Sequence, residues 1–87
     1  SALIGRTPHG IDRRAVSEVL ENRRVLITGA GGSIGSEIAR IAATFHPQRL
    51  ILMERSENAL FEIDRQIARL FPRVPRVALL HDIADAE

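Results

Sequence analysis

An unbroken apolar run, Val25-Leu26-Ile27, opens directly into Thr28-Gly29-Ala30-Gly31-Gly32-Ser33-Ile34-Gly35-Ser36-Glu37, after which apolar residues return at helical spacing. Few folds accept that order. Val25 to Ile27 is the kind of short continuous apolar run found in a strand covered on both faces, as in a parallel sheet. Ile34, Ile38, Ile41, Ala42 and Phe45 then share a helical stripe. Between the two elements, Gly29 permits a tight turn, Gly32 lets the backbone approach a ligand with no Cβ in the way, and Gly35 lets the helix pack close to the strand. Unpaired N–H groups and the positive end of the helix dipole face whatever sits above the turn, so the expected occupant carries phosphate.

Three glycines alone mark only a tight turn, and context has to decide between that and a binding loop. A second apolar run, Leu50-Ile51-Leu52-Met53, ends at Glu54, nineteen residues past Gly35. An acidic side chain there accepts hydrogen bonds from the hydroxyls of an adenosine ribose. Strand, turn, helix and acidic strand end, in that order, predict a dinucleotide site holding its pyrophosphate over Thr28 to Gly35. A mononucleotide P-loop is excluded, because it needs Lys and then Ser or Thr directly after its last glycine, where this chain has Ser36-Glu37. The hydroxyls of Thr28, Ser33 and Ser36 either bond the pyrophosphate or stabilise the turn and the helix start. Glu54 favours NAD, since a carboxylate repels the extra phosphate of NADP. Arg55 beside it accommodates that phosphate if Glu54 turns away, or is a solvated corner residue.

The remaining chain divides at strong punctuation. Residues 1–10 carry glycine and proline with little periodicity and read as an arm or linker, leaving 11–87 as a partial NAD(P)-binding domain. Asp12 is a candidate N-cap for a first helix whose face is Ala15, Val16, Val19 and Leu20. His46-Pro47 stops the second helix. Ser56 can cap a third, with Leu60, Ile63, Ile67, Leu70 and Phe71 on its apolar face, and Pro72 and Pro75 end it before a strand over Val77-Ala78-Leu79-Leu80. The order is β-α-β-α-β with a helical lead-in, an α/β chain. Right-handed crossovers make it half of a Rossmann-type parallel sheet, ordered three-two-one. Strand one then lacks its usual fourth-strand neighbour, so its edge is expected to pair with another chain, as in a homo-oligomer, or to leave the chain unstable.

Composition narrows the function further. With 87 residues, 45% of them hydrophobic, the chain is one small domain or part of a larger one. It has no Cys, which excludes disulfides and cysteine-based metal or nucleophilic sites and suits the cytoplasm. Its three His are too scattered for a metal site. Apolar runs are too short for a membrane span, and no signal-like segment is present. All twelve basic residues are Arg, balanced to a net charge of +1. Most lie among acids on helical faces, which argues against nucleic-acid binding. Phe45, Phe61 and Phe71 fall on apolar stripes and are expected in the core.

The loop spacing is Thr-Gly-x-x-Gly-x-x-Gly, with Ile34 where the plain Gly-x-Gly-x-x-Gly fingerprint places its third glycine. Thr28 to Glu37 thereby resembles the cofactor loop of extended short-chain dehydrogenase/reductases, and within them the CapD-type polysaccharide biosynthesis proteins. Leu3-Ile4-Gly5-Arg6-Thr7-Pro8, Ser56-Glu57-Asn58-Ala59-Leu60 and His81-Asp82-Ile83-Ala84-Asp85 extend the resemblance over almost the whole chain. It implies cofactor binding by Thr28, Gly29, Gly31, Gly32, Ser33, Ile34, Gly35, Glu54, Arg55 and Ser56, with Asp82 and Ile83 against the adenine. An alternative for Asp82 is a polar strand end capping the next turn.

The resembled enzymes use a Tyr-x-x-x-Lys pair, and this chain has neither Tyr nor Lys. It therefore holds no catalytic residue of that kind and reads as the first half of the cofactor domain of a longer protein. For that parent the resemblance implies work on a UDP-linked amino sugar in bacterial surface-polysaccharide synthesis. Hydride leaves C4 for the nicotinamide, water is lost across C5 and C6, and hydride returns at C6, a 4,6-dehydration. Return to the opposite face of C4 is epimerisation, the second choice. A non-catalytic nucleotide-binding or assembly module and an NADPH-dependent reductase are the further alternatives. The segment ahead of the loop resembles the linker after a membrane-anchored region, which implies a parent tethered to the inner membrane around a soluble piece.

Overall fold

Each of the first two strands of this chain is followed by enough residues for a helix, and a right-handed crossover returns the chain to lie parallel beside the strand it left. The computed structural model describes residues 12–81. The expected arm at 1–10 and the pair Asp82 and Ile83 lie outside the described residues. The order is α1 (Arg13–Leu20), β1 (Arg24–Thr28), α2 (Ser33–Ala43), β2 (Arg49–Glu54), α3 (Glu57–Leu70) and β3 (Arg76–Leu80). One parallel sheet runs β1-β2-β3, the same neighbours as the expected three-two-one counted from the opposite edge.

Local chemistry sets the boundaries. Asp12 caps α1 by accepting the Ala15 N–H at 3.2 Å, and Ser56 caps α3 by accepting the Ala59 N–H at 3.3 Å. Past α2 the chain turns at His46, with φ of 56°, and Pro47 prevents the helix from resuming. Register places Val25, Leu50 and Arg76 in one row and Ile27, Leu52 and Ala78 in the next. Ile27, Leu50 and Leu52 pack under Ala39, Ala42 and Ala43 of α2 and Leu60, Ile63 and Ile67 of α3, forming the core. Arg76 pairs with Asp64 at 2.7 Å and ties β3 to α3.

Four expectations about burial are corrected. The buried stripe of α2 is Ala39, Ala42 and Ala43, while Ile34 is 74% exposed and Ile38 is also open. A helix that leaves a glycine turn lies close to the sheet, and the close face takes small side chains. Of the three Phe, only Phe45 is buried; Phe71 is partly buried as the C-cap of α3, and Phe61 is 63% exposed. Phe61 sits one position off the Leu60-Ile63-Ile67 stripe, about 100° around the helix, where the Arg65 guanidinium lies over its ring at 6.0 Å. Leu70 continues that stripe but is 51% exposed, because it is the last residue of the helix.

α1 buries no residue fully. It is held by Arg13, which donates to the Thr44 hydroxyl at 3.2 Å and lies 4.3 Å over the Phe45 ring, and by partial packing of Leu20. Finally, strand one is apolar on both faces but covered on one. Leu26 is 51% exposed, and Val77 and Leu79 on the same sheet face are also open among the described residues.

Candidate functional site

The turn after β1 is built by three backbone hydrogen bonds and one left-handed residue. Gly29 has φ of +61°, a conformation that costs a glycine little and other residues more. The Gly32 N–H closes the turn on the Gly29 carbonyl at 3.0 Å. The Ala30 N–H reaches the Met53 carbonyl at 3.0 Å, so the β1–β2 ladder continues into the loop. Ser36 makes the first helical bond, to the Gly32 carbonyl at 2.8 Å. The N–H groups of Ser33, Ile34 and Gly35 are therefore the first-turn donors that a helix cannot satisfy internally.

Among the described residues no side chain caps these donors. Gly32, the N-cap of α2, has no side-chain cap bond, whereas α1 and α3 are each capped by their own Asp12 and Ser56. An anion fits there on both counts, unpaired donors and the positive end of the helix dipole. The glycines divide the work differently from one another. A Cβ on Gly35 would lie 1.9 Å from the Gly29 carbonyl oxygen, so this glycine serves helix-to-turn packing, as expected. A Cβ on Gly31 would lie 2.5 Å from the Ala59 Cβ, so the loop rests directly on the first turn of α3. Gly32 alone of the three has room, its nearest atom being the Gly29 oxygen at 3.4 Å. The fold does not require its missing side chain.

Glu54 is brought to this loop from the end of β2. One carboxylate oxygen accepts the Gly31 N–H at 2.8 Å and the other accepts the Ser56 N–H at 3.0 Å. Its partners are thus protein backbone as well as any ribose. Thr28, Ser33 and Arg55 are exposed around the loop. Ser36 donates its hydroxyl to the Ser33 carbonyl at 3.2 Å, which places it with the helix start. Sequence reasoning named each of these residues but gave no role to Ala59, whose small side chain permits the loop contact. An alanine in the first turn of α3 was its only signal.

Comparison with known proteins agrees with the geometry. A family model described as polysaccharide biosynthesis protein matches residues 25–87. The capsular polysaccharide biosynthesis protein CapD of Staphylococcus aureus is 39% identical, and EpsC of Bacillus subtilis 36% identical, each over 98% of this chain and 14% of the relative. The chain thus spans about one seventh of the length of these relatives. Among solved structures, a protein of Escherichia coli CFT073 described as a short-chain dehydrogenase, in complex with NADPH, aligns with a TM-score of 0.61 at 31% identity. That alignment covers 75% of this chain and 27% of the other. The short-chain dehydrogenase of Shigella flexneri aligns with the same score and identity, over 75% of this chain and 25% of its own. A strand, glycine turn and uncapped helix of this geometry, matched over nearly the whole chain, place it in the polysaccharide biosynthesis protein family, with the Rossmann-type fold of short-chain dehydrogenases.

Proposed function

We propose that this chain supplies the adenosine and pyrophosphate side of a nicotinamide-dinucleotide site in a nucleotide-sugar 4,6-dehydratase of surface-polysaccharide synthesis. The observation that carries this reading is the start of α2, where three backbone N–H groups face outward with no side-chain cap and Gly32 leaves space above them. Thr28, Gly29 and Gly31 to Gly35 would hold the pyrophosphate, Glu54 the ribose, with Arg55 and Ser56 flanking it and Asp82 and Ile83 reaching the adenine. The relation to CapD supports the sugar-polymer setting, and the neighbours bound to NADPH and NADP support a nicotinamide cofactor.

Within that class we assign NAD. Glu54 would have to surrender its bonds to Gly31 and Ser56 to turn away from a 2′-phosphate, and hydrogen bonds to a charged group are each worth about 1.5–3 kcal/mol. When bound, the nicotinamide supplies reversible hydride acceptance from the sugar. The residues of this chain bind and orient. The chain has no Tyr or Lys, so an acid/base pair of the Tyr-x-x-x-Lys type would be contributed by other parts of the protein. Among the described residues Leu26, Val77 and Leu79 leave one sheet face open and apolar, which is compatible with a homo-oligomer. Among the described residues no helix is long and apolar enough to cross a membrane. We place the site on the cytoplasmic side of an inner membrane to which the longer protein is anchored.

The test is to incubate the complete protein with a UDP-linked N-acetylhexosamine and NAD and to follow the sugar by mass spectrometry. A product lighter by one water supports the dehydratase. An unchanged mass with inverted C4 in the proton spectrum would make it an epimerase instead. Tight NAD binding without conversion of any nucleotide sugar would leave a non-catalytic nucleotide-binding module.

A further inference from the structure

We infer that Glu54 is a positioning residue for the pyrophosphate loop, in addition to any direct contact it makes with a ribose. The inference rests on the dinucleotide reading of the loop. Its starting point is a count of donors. Ala30, Gly31 and Gly32 present consecutive N–H groups along the turn, and all three are taken by protein acceptors: the Met53 carbonyl, the Glu54 carboxylate and the Gly29 carbonyl. The donors left for an anion are those of Ser33, Ile34 and Gly35. Glu54 therefore decides which N–H groups face the ligand, because without it Gly31 would become a fourth donor in search of an acceptor.

The same carboxylate fixes the loop in space. Its two oxygens join Gly31 to the N–H of Ser56, the residue that caps α3, so the loop and the start of α3 move as one piece. The contact is packed as well as bonded, since Gly31 lies so close to Ala59 that a single added carbon would collide. A partly buried N–H held by a charged acceptor at 2.8 Å is a strong constraint on the dihedral angles around it. A carboxylate has acceptor sites for about four donors, so two backbone bonds still leave capacity for ribose hydroxyls. Tether and ribose contact are compatible, and they differ in what each does to a ligand without hydroxyls.

Ligand chemistry separates the two roles. ADP and 2′,3′-dideoxy-ADP share the pyrophosphate, but the second offers Glu54 no hydroxyl. Glu54→Gln keeps the shape of the side chain while presenting one amide oxygen and one NH2, so only one of the two backbone N–H groups retains an acceptor. Calorimetric titration is expected to show Glu54→Gln weakening 2′,3′-dideoxy-ADP about tenfold through loss of the tether, and ADP by at least that factor, since ADP also loses any ribose contact. A loss confined to ADP, with 2′,3′-dideoxy-ADP unaffected, would reduce Glu54 to a ribose acceptor and overturn the inference.

A second readout needs no ligand. With [15N]glycine, [15N]serine and [13C]glutamate labels, the Gly31 and Ser56 amides of the unliganded protein should show a scalar coupling through the hydrogen bond to the Glu54 carboxyl carbon. Glu54→Ala should abolish it and shift both amide protons upfield, while amides of α3 beyond Ala59 stay in place as the folding control. Absence of the coupling in the parent protein overturns the tether itself. Presence of the coupling with no binding of either nucleotide rejects the dinucleotide reading instead, and with it the role assigned to the tether.

Discussion

Replacing Gly32 by Ser should raise the stability of the protein and lower its affinity for NAD, two changes of opposite sign from one hydroxyl. Gly32 has φ of −75° and ψ of 172°, the extended conformation of a helix N-cap, close to that of Ser56 at −91° and 120°. A Cβ there touches only the Gly29 oxygen, at 3.4 Å, so no atom has to move. Ser exceeds Gly as an N-cap by a few tenths of a kcal/mol, and removing a glycine from the unfolded chain adds about 0.4–1 kcal/mol. The expected gain is about 1 kcal/mol, or about 4–8 °C in Tm for a domain of this size.

The new hydroxyl takes that bond from the N–H of Ile34 or Gly35, the donors assigned to the pyrophosphate, and its Cβ fills the space above them. Loss of one hydrogen bond to a charged group is worth about 1.5–3 kcal/mol, so the Kd for NAD should rise about 10- to 150-fold. Thermal unfolding by circular dichroism and calorimetric titration of the same preparation measure both effects. A more stable variant with unchanged affinity would show that the anion does not sit on α2. A less stable variant would show that the start of α2 does not have the geometry described.

Gly35→Ala should act in the other direction: its Cβ must move from 1.9 Å out to the 3.4 Å of ordinary contact against backbone, about 1.5 Å, and overpacking of this kind costs about 3 kcal/mol against a helix-propensity gain of at most about 1. A drop of about 8–16 °C in Tm is expected, and an unchanged Tm would contradict the close helix-to-turn packing. Leu52→Ala removes a fully buried side chain from the central strand and should cost about 2–5 kcal/mol by urea unfolding, a large share of the total stability of a small domain. Phe61→Ser should change stability by no more than about 0.5 kcal/mol, since the ring is mostly exposed, and a larger loss would return Phe61 to the core.

The elements of this fold were legible in the sequence because their ends are chemically marked. Asp12 and Ser56 cap as expected, His46-Pro47 ends the α2 segment, and Pro72 and Pro75 fall in the turn between α3 and β3. The parallel order followed from crossover handedness together with the Rossmann-type β-α-β-α-β pattern. What spacing could not decide was which of two apolar stripes on α2 faces the sheet. Ile34 and Ile38 carry more hydrophobic surface than Ala39, Ala42 and Ala43, yet the alanines are buried because the glycine turn brings the helix so near that only small side chains fit. The partner of Glu54 was hidden for a related reason. Its contact with Gly31 bridges 23 positions of sequence and depends on the shape of the loop, which no periodicity records.

The apolar residues left open share a pattern that ties these differences together. Leu26, Val77 and Leu79 lie on the sheet face away from the core, and Ile34 and Ile38 lie on the side of α2 away from α3, which it meets through Arg40 and Gln66. Strands apolar on both faces belong to a sheet covered on both sides, and here helices cover one. The sequence of β1 and β2 is therefore matched to more burial than the described residues provide, while the interior under α2 and α3 is already closed by Leu50, Leu52 and Ile67. Stability and ligand geometry thus rest on different surfaces. The closed interior fixes the angle at which α2 leaves the turn, and the contacts of Gly35 with Gly29, of Gly31 with Ala59 and of Glu54 with both loop and α3 carry that angle to the N–H groups. Covering the open face would add burial without having to alter any of those three contacts.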